Sequence, residues 1–213
     1  MILNVVTLLS PALENTDKSA MTRILVEAEA LFAEHGFDGV SINEVAGASG
    51  VCKANVFHHF ATKQELYERV LTQACENFSR SFDRLVVAQT GLAARLTAVV
   101  EWHEAFLRER PNGTRLILRE LTGSPTALAQ SAVFPLIRSN FERVVALLAE
   151  ASDELREGIS AALVAKLVLS LNLFGFQTEQ LDGRLITVGS LSARPELRRQ
   201  WIDLLLHGIQ RQK

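Results

Sequence analysis

The sequence holds little that would break or crosslink it. Five prolines and twelve glycines in 213 residues form no linker-like tract, so neither long disorder nor a string of small modules is expected. The two cysteines, Cys52 and Cys75, have no spacing that suits a zinc site or a redox pair. Cys75 falls on an apolar helical face and reads as a reduced, buried thiol, which fits a cytoplasmic protein. An excess of positive charge is also missing. With 22 Lys and Arg against 24 Asp and Glu, attraction to nucleic acid cannot come from bulk charge. No Ser-His-Asp order, Walker loop, Rossmann-type glycine fingerprint or zinc spacing occurs, so neither catalysis nor a cofactor or metal is expected. The opening MILNVVTLLSPALENT is apolar but has no charged leader, and Asn4 and Thr7 interrupt it. It is too short to span a bilayer. Residues 1–16 read as a flexible arm, and no membrane partner is expected.

What is present is helix. With 48% hydrophobic residues, a chain of this length can bury a sizeable core. The apolar positions recur at steps of three and four, and no segment alternates with the period of a strand. The spacing predicts helices over 17–35, 42–49, 53–59 and 63–87. Further helices follow over 92–110, 112–121, 125–150 with a kink at Pro135, 160–180 and 195–208. The fold class is all-α, with about nine helices. A three-helix head over 17–62 precedes a helical bundle over 63–213. The helix over 63–87, about 35 Å long, can link the two. The segment 160–180 is apolar nearly all round, as expected of a helix buried on more than one side.

One stretch carries more local signal than the rest: SINEVAGASGVCKANVFHHFATKQE, residues 41–65. Ser41 and Glu44 have the spacing of a capping box, and Val40 and Val45 that of a hydrophobic staple. Gly50 supplies the turn, where positive φ costs glycine little. Thr62 and Glu65 repeat the capping box at the next helix. Helix, glycine turn and helix make a helix-turn-helix pattern. The surrounding segment 17–70 carries five basic and eight acidic residues, so DNA affinity would rest on a few placed groups.

Residues 18–71 resemble the amino-terminal domain of the TetR family of bacterial transcriptional regulators. The resemblance lies in LVEAEALFAEHGFDGVSINEVAGASGV, followed by CKANVFHHFATKQELYERVL. It implies that 53–59 is a recognition helix lying in the DNA major groove. Cys52, Lys53, Ala54 and Asn55 would then face base edges. Lys53 suits guanine or a phosphate, and Asn55 suits adenine or a phosphate. Phe57, His58, His59 and Lys63 align with positions that touch phosphates or bases in the family, and the amides at the Ser41 cap suit a phosphate. Neighbouring residues on a helix diverge by about 100°, which argues against His58 and His59 sharing a metal ion. The family usually has a polar residue, often Ser, at 52, Thr or Ser at 55 and Tyr at 57. Phe57 lacks the phenolic donor, worth about 0.5–1.5 kcal/mol net. An unusual operator, weaker DNA affinity and no DNA binding all stay open.

The resemblance further implies a homodimer on a double-stranded palindromic operator, released by a small-molecule effector. The candidates for the dimer interface are Leu163, Leu167, Leu171, Leu197, Trp201, Leu204 and Leu205. The candidates for the effector site are Trp102, His103, Phe106, Arg119, Arg138, Phe141, Asn172 and Phe176. Each has a structural alternative. His103 on its apolar face could be a core histidine, Arg119 and Arg138 surface or interface groups, and Asn172 a core hydrogen-bonding residue. The phenylalanines are core by default, although apolar side chains also line small-molecule pockets. The competing function is an effector-binding helical regulatory protein with a degenerate head, acting through protein partners.

Overall fold

The structure, a computed structural model, describes residues 10–87, 90–179 and 194–210. Ten α-helices occur among them: α1 (Ser10–His35), α2 (Ile42–Ser49), α3 (Lys53–His59), α4 (Lys63–Phe82), α5 (Leu92–Glu109), α6 (Pro111–Thr122), α7 (Pro125–Gln130), α8 (Phe134–Ala149), α9 (Ala161–Thr178) and α10 (Arg194–Ile209). A 3-10 turn covers Ser152–Glu154. Among the described residues the only β-type pairing is a single bridge between Leu155 and Gln210. The chain divides into two compact units, residues 1–74 with 112–133 and residues 75–111 with 134–213.

The first unit is built on α1. Its buried face is Ile24, Leu25, Ala28 and Phe32, while Met21 and His35 at the ends of the same seam are exposed. Within the described residues the helix runs from Ser10, ahead of residue 17. Residues 10–16 of the expected arm are therefore helical, and 1–9 lie outside the described residues. Gly36 ends α1 at φ 74°. A Cβ there would stand 2.9 Å from Arg119 Nη1, a contact to which the flexible side chain could yield, so it is the backbone turn that calls for glycine. Phe32, Phe37 and Tyr67 form an aromatic group with centroids 5.0–6.3 Å apart.

This unit extends past residue 62. It takes the first part of α4 together with α6 and α7. Tyr67 donates its hydroxyl hydrogen to Glu120 at 2.7 Å. Arg119 donates to the Ala33 carbonyl at 3.4 Å, near the end of α1. Burial and the Glu120 carboxylate hold the Tyr67 phenol far above its ordinary pKa, so the tyrosine stays a donor.

The second unit packs α5, α8, α9, α10 and the remainder of α4 around Leu92, Leu96, Val99, Val144, Leu148, Val164 and Val168. Buried asparagines tie its helices together. Asn140 donates to the Cys75 carbonyl at 3.0 Å and accepts from Ser79 at 2.5 Å. Asn172 donates to the Val100 carbonyl at 3.1 Å.

Three expected elements differ. The helix over 63–87 stops at Phe82, where bonds to the third residue back (Arg84 to Ser81, Leu85 to Phe82) replace the α pattern. The helix over 125–150 is two helices rather than one kinked one. Ser131 closes α7 through both its amide and its hydroxyl to the Leu128 carbonyl, and α8 restarts with Pro135 in its first turn. Proline cannot donate to the preceding turn, so the chain breaks before it. Finally, α9 is not buried all round. Val164, Ala165, Val168 and Asn172 face the core, whereas Leu163, Leu167 and Phe174 are exposed.

Candidate nucleic-acid interface

The helix-turn-helix is held by local bonds. Glu44 N donates to Ser41 Oγ at 3.2 Å, and Ser41 N donates to Glu44 Oε2 at 2.7 Å, completing the capping box. Val40 and Val45 are both buried, as a staple requires. At the other end of α2, Gly50 takes the left-handed conformation and Val51 N donates to Ala46 O at 3.0 Å, a Schellman closure. Arg23 from α1 donates to the Ser49 carbonyl at 3.2 Å, placing a cation at the helix C-terminus. The second box is shifted by one residue. Thr62 Oγ1 accepts from Glu65 N at 3.0 Å, but the Glu65 carboxylate accepts from Ala61 N at 2.8 Å.

This frame sets which side chains α3 presents. Val56 is buried in the unit and Phe60 follows it inward, while Cys52, Lys53, Ala54, Phe57 and His58 are exposed. Lys53 Nζ stands 5.9 Å from the Phe57 ring centroid, one turn along the helix. His58 and His59 lie edge to face, 5.2 Å apart. Among the described residues no group of three or more His, Cys, Asp or Glu could hold a metal ion.

Several expected contact groups are less available than the sequence suggested. The Ser41 hydroxyl and amide are already engaged by Glu44. That carboxylate, held below its usual pKa first by the Ser41 amide and then by its hydroxyl, places a negative charge where a phosphate would approach. Asn55 is half-buried with Oδ1 shut away from solvent and unpartnered. Bidentate reading of adenine needs both amide atoms, so Asn55 must rotate to do it. Lys63 is half-buried with its ammonium 4.3 Å from the Phe37 ring centroid, a cation–π contact that holds the charge against the protein.

The effector candidates do not converge. Arg119 belongs to the first unit and packs over Gly36. Arg138 is exposed and paired with Glu142 at 2.7 Å. Trp102 donates from its ring nitrogen to Ser81 Oγ at 2.9 Å, and Trp102, His103 and Phe106 each meet the Phe78 ring edge to face. Phe141 packs on the core. Burial pushes His103 down to about 3 and leaves Nδ1 without a hydrogen-bond partner. Only Asn172 and Phe176 line a cavity, of about 90 Å³, between α5, α9 and α10.

Leu171, Leu197 and Trp201, expected at a dimer interface, line the same cavity. Of the other interface candidates Leu163, Leu167 and Leu204 are exposed, as is Phe174, which was not among them, and Leu205 packs against the core. The sequence reading missed the charged rim of the cavity. There Arg198 pairs with Glu104 at 3.1 Å and Glu101 at 3.3 Å, and Arg108 pairs with Glu104. Glu104 and Arg108, four residues apart on one helix, were the available signal.

Comparison with known proteins agrees with this geometry. The sequence model of the bacterial regulatory proteins, tetR family, matches residues 24–70. The HTH-type transcriptional activator FasR of Mycolicibacterium smegmatis is 30% identical over 112 residues, covering 52% of this chain and 51% of FasR. The HTH-type transcriptional repressor AcnR of Corynebacterium glutamicum is 33% identical over 92 residues, covering 42% of this chain and 46% of AcnR. The chain thus spans about half the length of these relatives. The regulator FadR of Bacillus subtilis, solved in complex with stearoyl-CoA, superposes with a TM-score of 0.68 at 17% identity over 88% of this chain and 98% of FadR, a likeness of fold. Residues 24–70 thus match the helix-turn-helix domain of the tetR family of bacterial regulatory proteins, and the chain shares its fold with FadR over most of its length.

Proposed function

We propose that this protein is a cytoplasmic transcriptional regulator, in the first instance a repressor, that binds a palindromic operator as a homodimer and is released by a small molecule. The observation that carries this reading is α3, a helix locked at its flanks by local bonds yet exposing Lys53, Ala54, Phe57 and His58. A dimer would set two such helices about one DNA turn apart. Footprinting of the DNA flanking its own gene tests this at moderate salt, because phosphate contacts weaken steeply as salt rises. A protected palindrome is expected, and its absence overturns the proposal. Binding without sequence preference and with a shallow salt slope would favour the competing reading, a degenerate head acting through protein partners. The net acidic head and Glu44 at the α2 cap speak for that reading.

The dimer rests on the exposed stripe of α9 and α10. Leu163, Leu167, Phe174 and Leu204 are between 39% and 72% exposed, a row that a second copy would cover. By length and composition α9 could also cross a membrane, but its inner face packs in the core and bonds to α5 through Asn172. Replacing Leu163 and Leu167 together by Glu is expected to yield a folded monomer in sedimentation experiments. An unchanged dimer would place the interface elsewhere.

The effector is proposed to enter the cavity that Asn172 and Phe176 line. At about 90 Å³ it falls below the roughly 300–1,000 Å³ of small-molecule sites, so binding would require it to open. Effector binding also has to favour one state over another, since a ligand shifts an equilibrium only by its differential affinity.

A further inference from the structure

We infer that Phe57 reads a thymine methyl group in the operator. The inference rests on the DNA-binding reading and adds to it the chemistry of one position. Phe57 is 43% exposed, on the same face of α3 as Lys53, Ala54 and His58. Its neighbours in sequence, Val56 and Phe60, are buried, so the exposure of Phe57 follows from the helical register and not from a poorly packed head. A phenyl ring has no hydrogen to donate, which excludes a hydrogen bond to a phosphate oxygen or to a base acceptor. What it can gain on leaving water is apolar contact. In the major groove the apolar group that distinguishes one base pair from another is the C5 methyl of thymine. Ala54, one turn back and one residue aside, is too small to hold the ring away from the groove floor. Lys53 stands 5.9 Å from the ring centroid and brings a cation suited to a neighbouring guanine or phosphate. Phe57 thus supplies sequence discrimination, and Lys53 the charge.

The test needs an operator and one change of a single methyl group. Duplexes are enriched from a random library with the full-length protein, and each thymine of the enriched half-site is then replaced by uracil, which lacks only that methyl. The expected result is one thymine per half-site whose replacement weakens binding about fourfold, the value of one buried methyl-sized group. Phe57→Ala should bind the thymine and uracil duplexes alike, while Phe57→Tyr, which keeps the ring, should still prefer thymine. Circular dichroism of Phe57→Ala should match the parent, since the side chain is not part of the core. If a palindrome is enriched but no thymine is sensitive, the inference falls and the DNA-binding reading stands. If the sensitivity persists in Phe57→Ala, another residue, Ala54 first, holds the methyl and the inference falls. If nothing is enriched, the DNA-binding reading fails and the inference with it.

Discussion

The helix-turn-helix of the first unit and the bundle of the second satisfy their polar groups over different distances. In the motif, apart from the Arg23 bond to the Ser49 carbonyl, the partners sit three or four residues apart: Ser41 with Glu44, Thr62 with Glu65, and Ser49 with the carbonyls of Val45 and Ala46. In the second unit Asn140 reaches Cys75 and Ser79 on α4, and Asn172 reaches Val100 on α5. Local pairing lets a short segment specify its own shape before the rest of the chain is in place. Long-range pairing fixes how helices register against one another, because a buried amide left unpaired is costly. The order of the motif therefore rests mainly on bonds within a turn of the chain, and that of the bundle on cross-helix bonds.

The comparison predicts unequal responses to acid and to mutation. The largest effect is expected from acid, through His103. Its folded-state pKa is pushed down to about 3 by burial, against an ordinary 6.5. The unfolded state thus binds the proton first, and stability falls as pH drops below 6.5 toward 3. Between pH 6.5 and 5, above the carboxylate range, hydrogen-exchange protection of α5 and α9 should decline while that of α2 and α3 holds. His103→Leu should flatten that decline. Equal losses in both units would break the comparison.

Next in size, Asn140→Ala removes both cross-helix bonds at once and should lower unfolding stability by about 1–3 kcal/mol, read from urea denaturation. Ser41→Ala should cost about 1 kcal/mol, the usual value of an N-cap. Its loss of protection should be confined to α2 and α3, and a loss spreading through α8 and α9 would show the motif to be less self-contained than its bonding implies. Smallest of all is Arg138→Ala. It breaks an exposed pair with Glu142 four residues away, and the urea midpoint should not move measurably, as for most surface ion pairs.

The same distinction explains what could be read without a structure. The capping box, the glycine turn and the exposed Lys53 all rest on spacings of one to five residues, and the structure places them as expected. The cap itself illustrates a limit. Spacing marks Ser41 as an N-cap, but only the geometry shows that Glu44 occupies the amide a phosphate would need. In the bundle, apolar content correctly marked α9 as a helix, yet suggested burial on several sides. Leu171 and Leu163 look alike in sequence, and the first lines a cavity while the second is exposed. Arg119 and Arg138 stand among similar neighbours in sequence, but Arg119 closes over Gly36 and Arg138 lies in solvent.

By itself the sequence determined that the chain is helical, where most helices start and stop, and which motif it carries. Periodicity, caps and turn residues act within a helical turn or two, so they are legible in one dimension. Only the tertiary structure decided that α6 and α7 belong with the helix-turn-helix, that 125–150 is two helices and not one kinked at Pro135, and which leucines of α9 stay exposed. Those outcomes depend on contacts between residues far apart in the chain, and equal hydrophobicity does not say which neighbour a side chain will meet. For α3 the two levels meet. The resemblance to the family marks Phe57 as the residue of α3 that departs from the usual pattern, and the fold turns its ring outward.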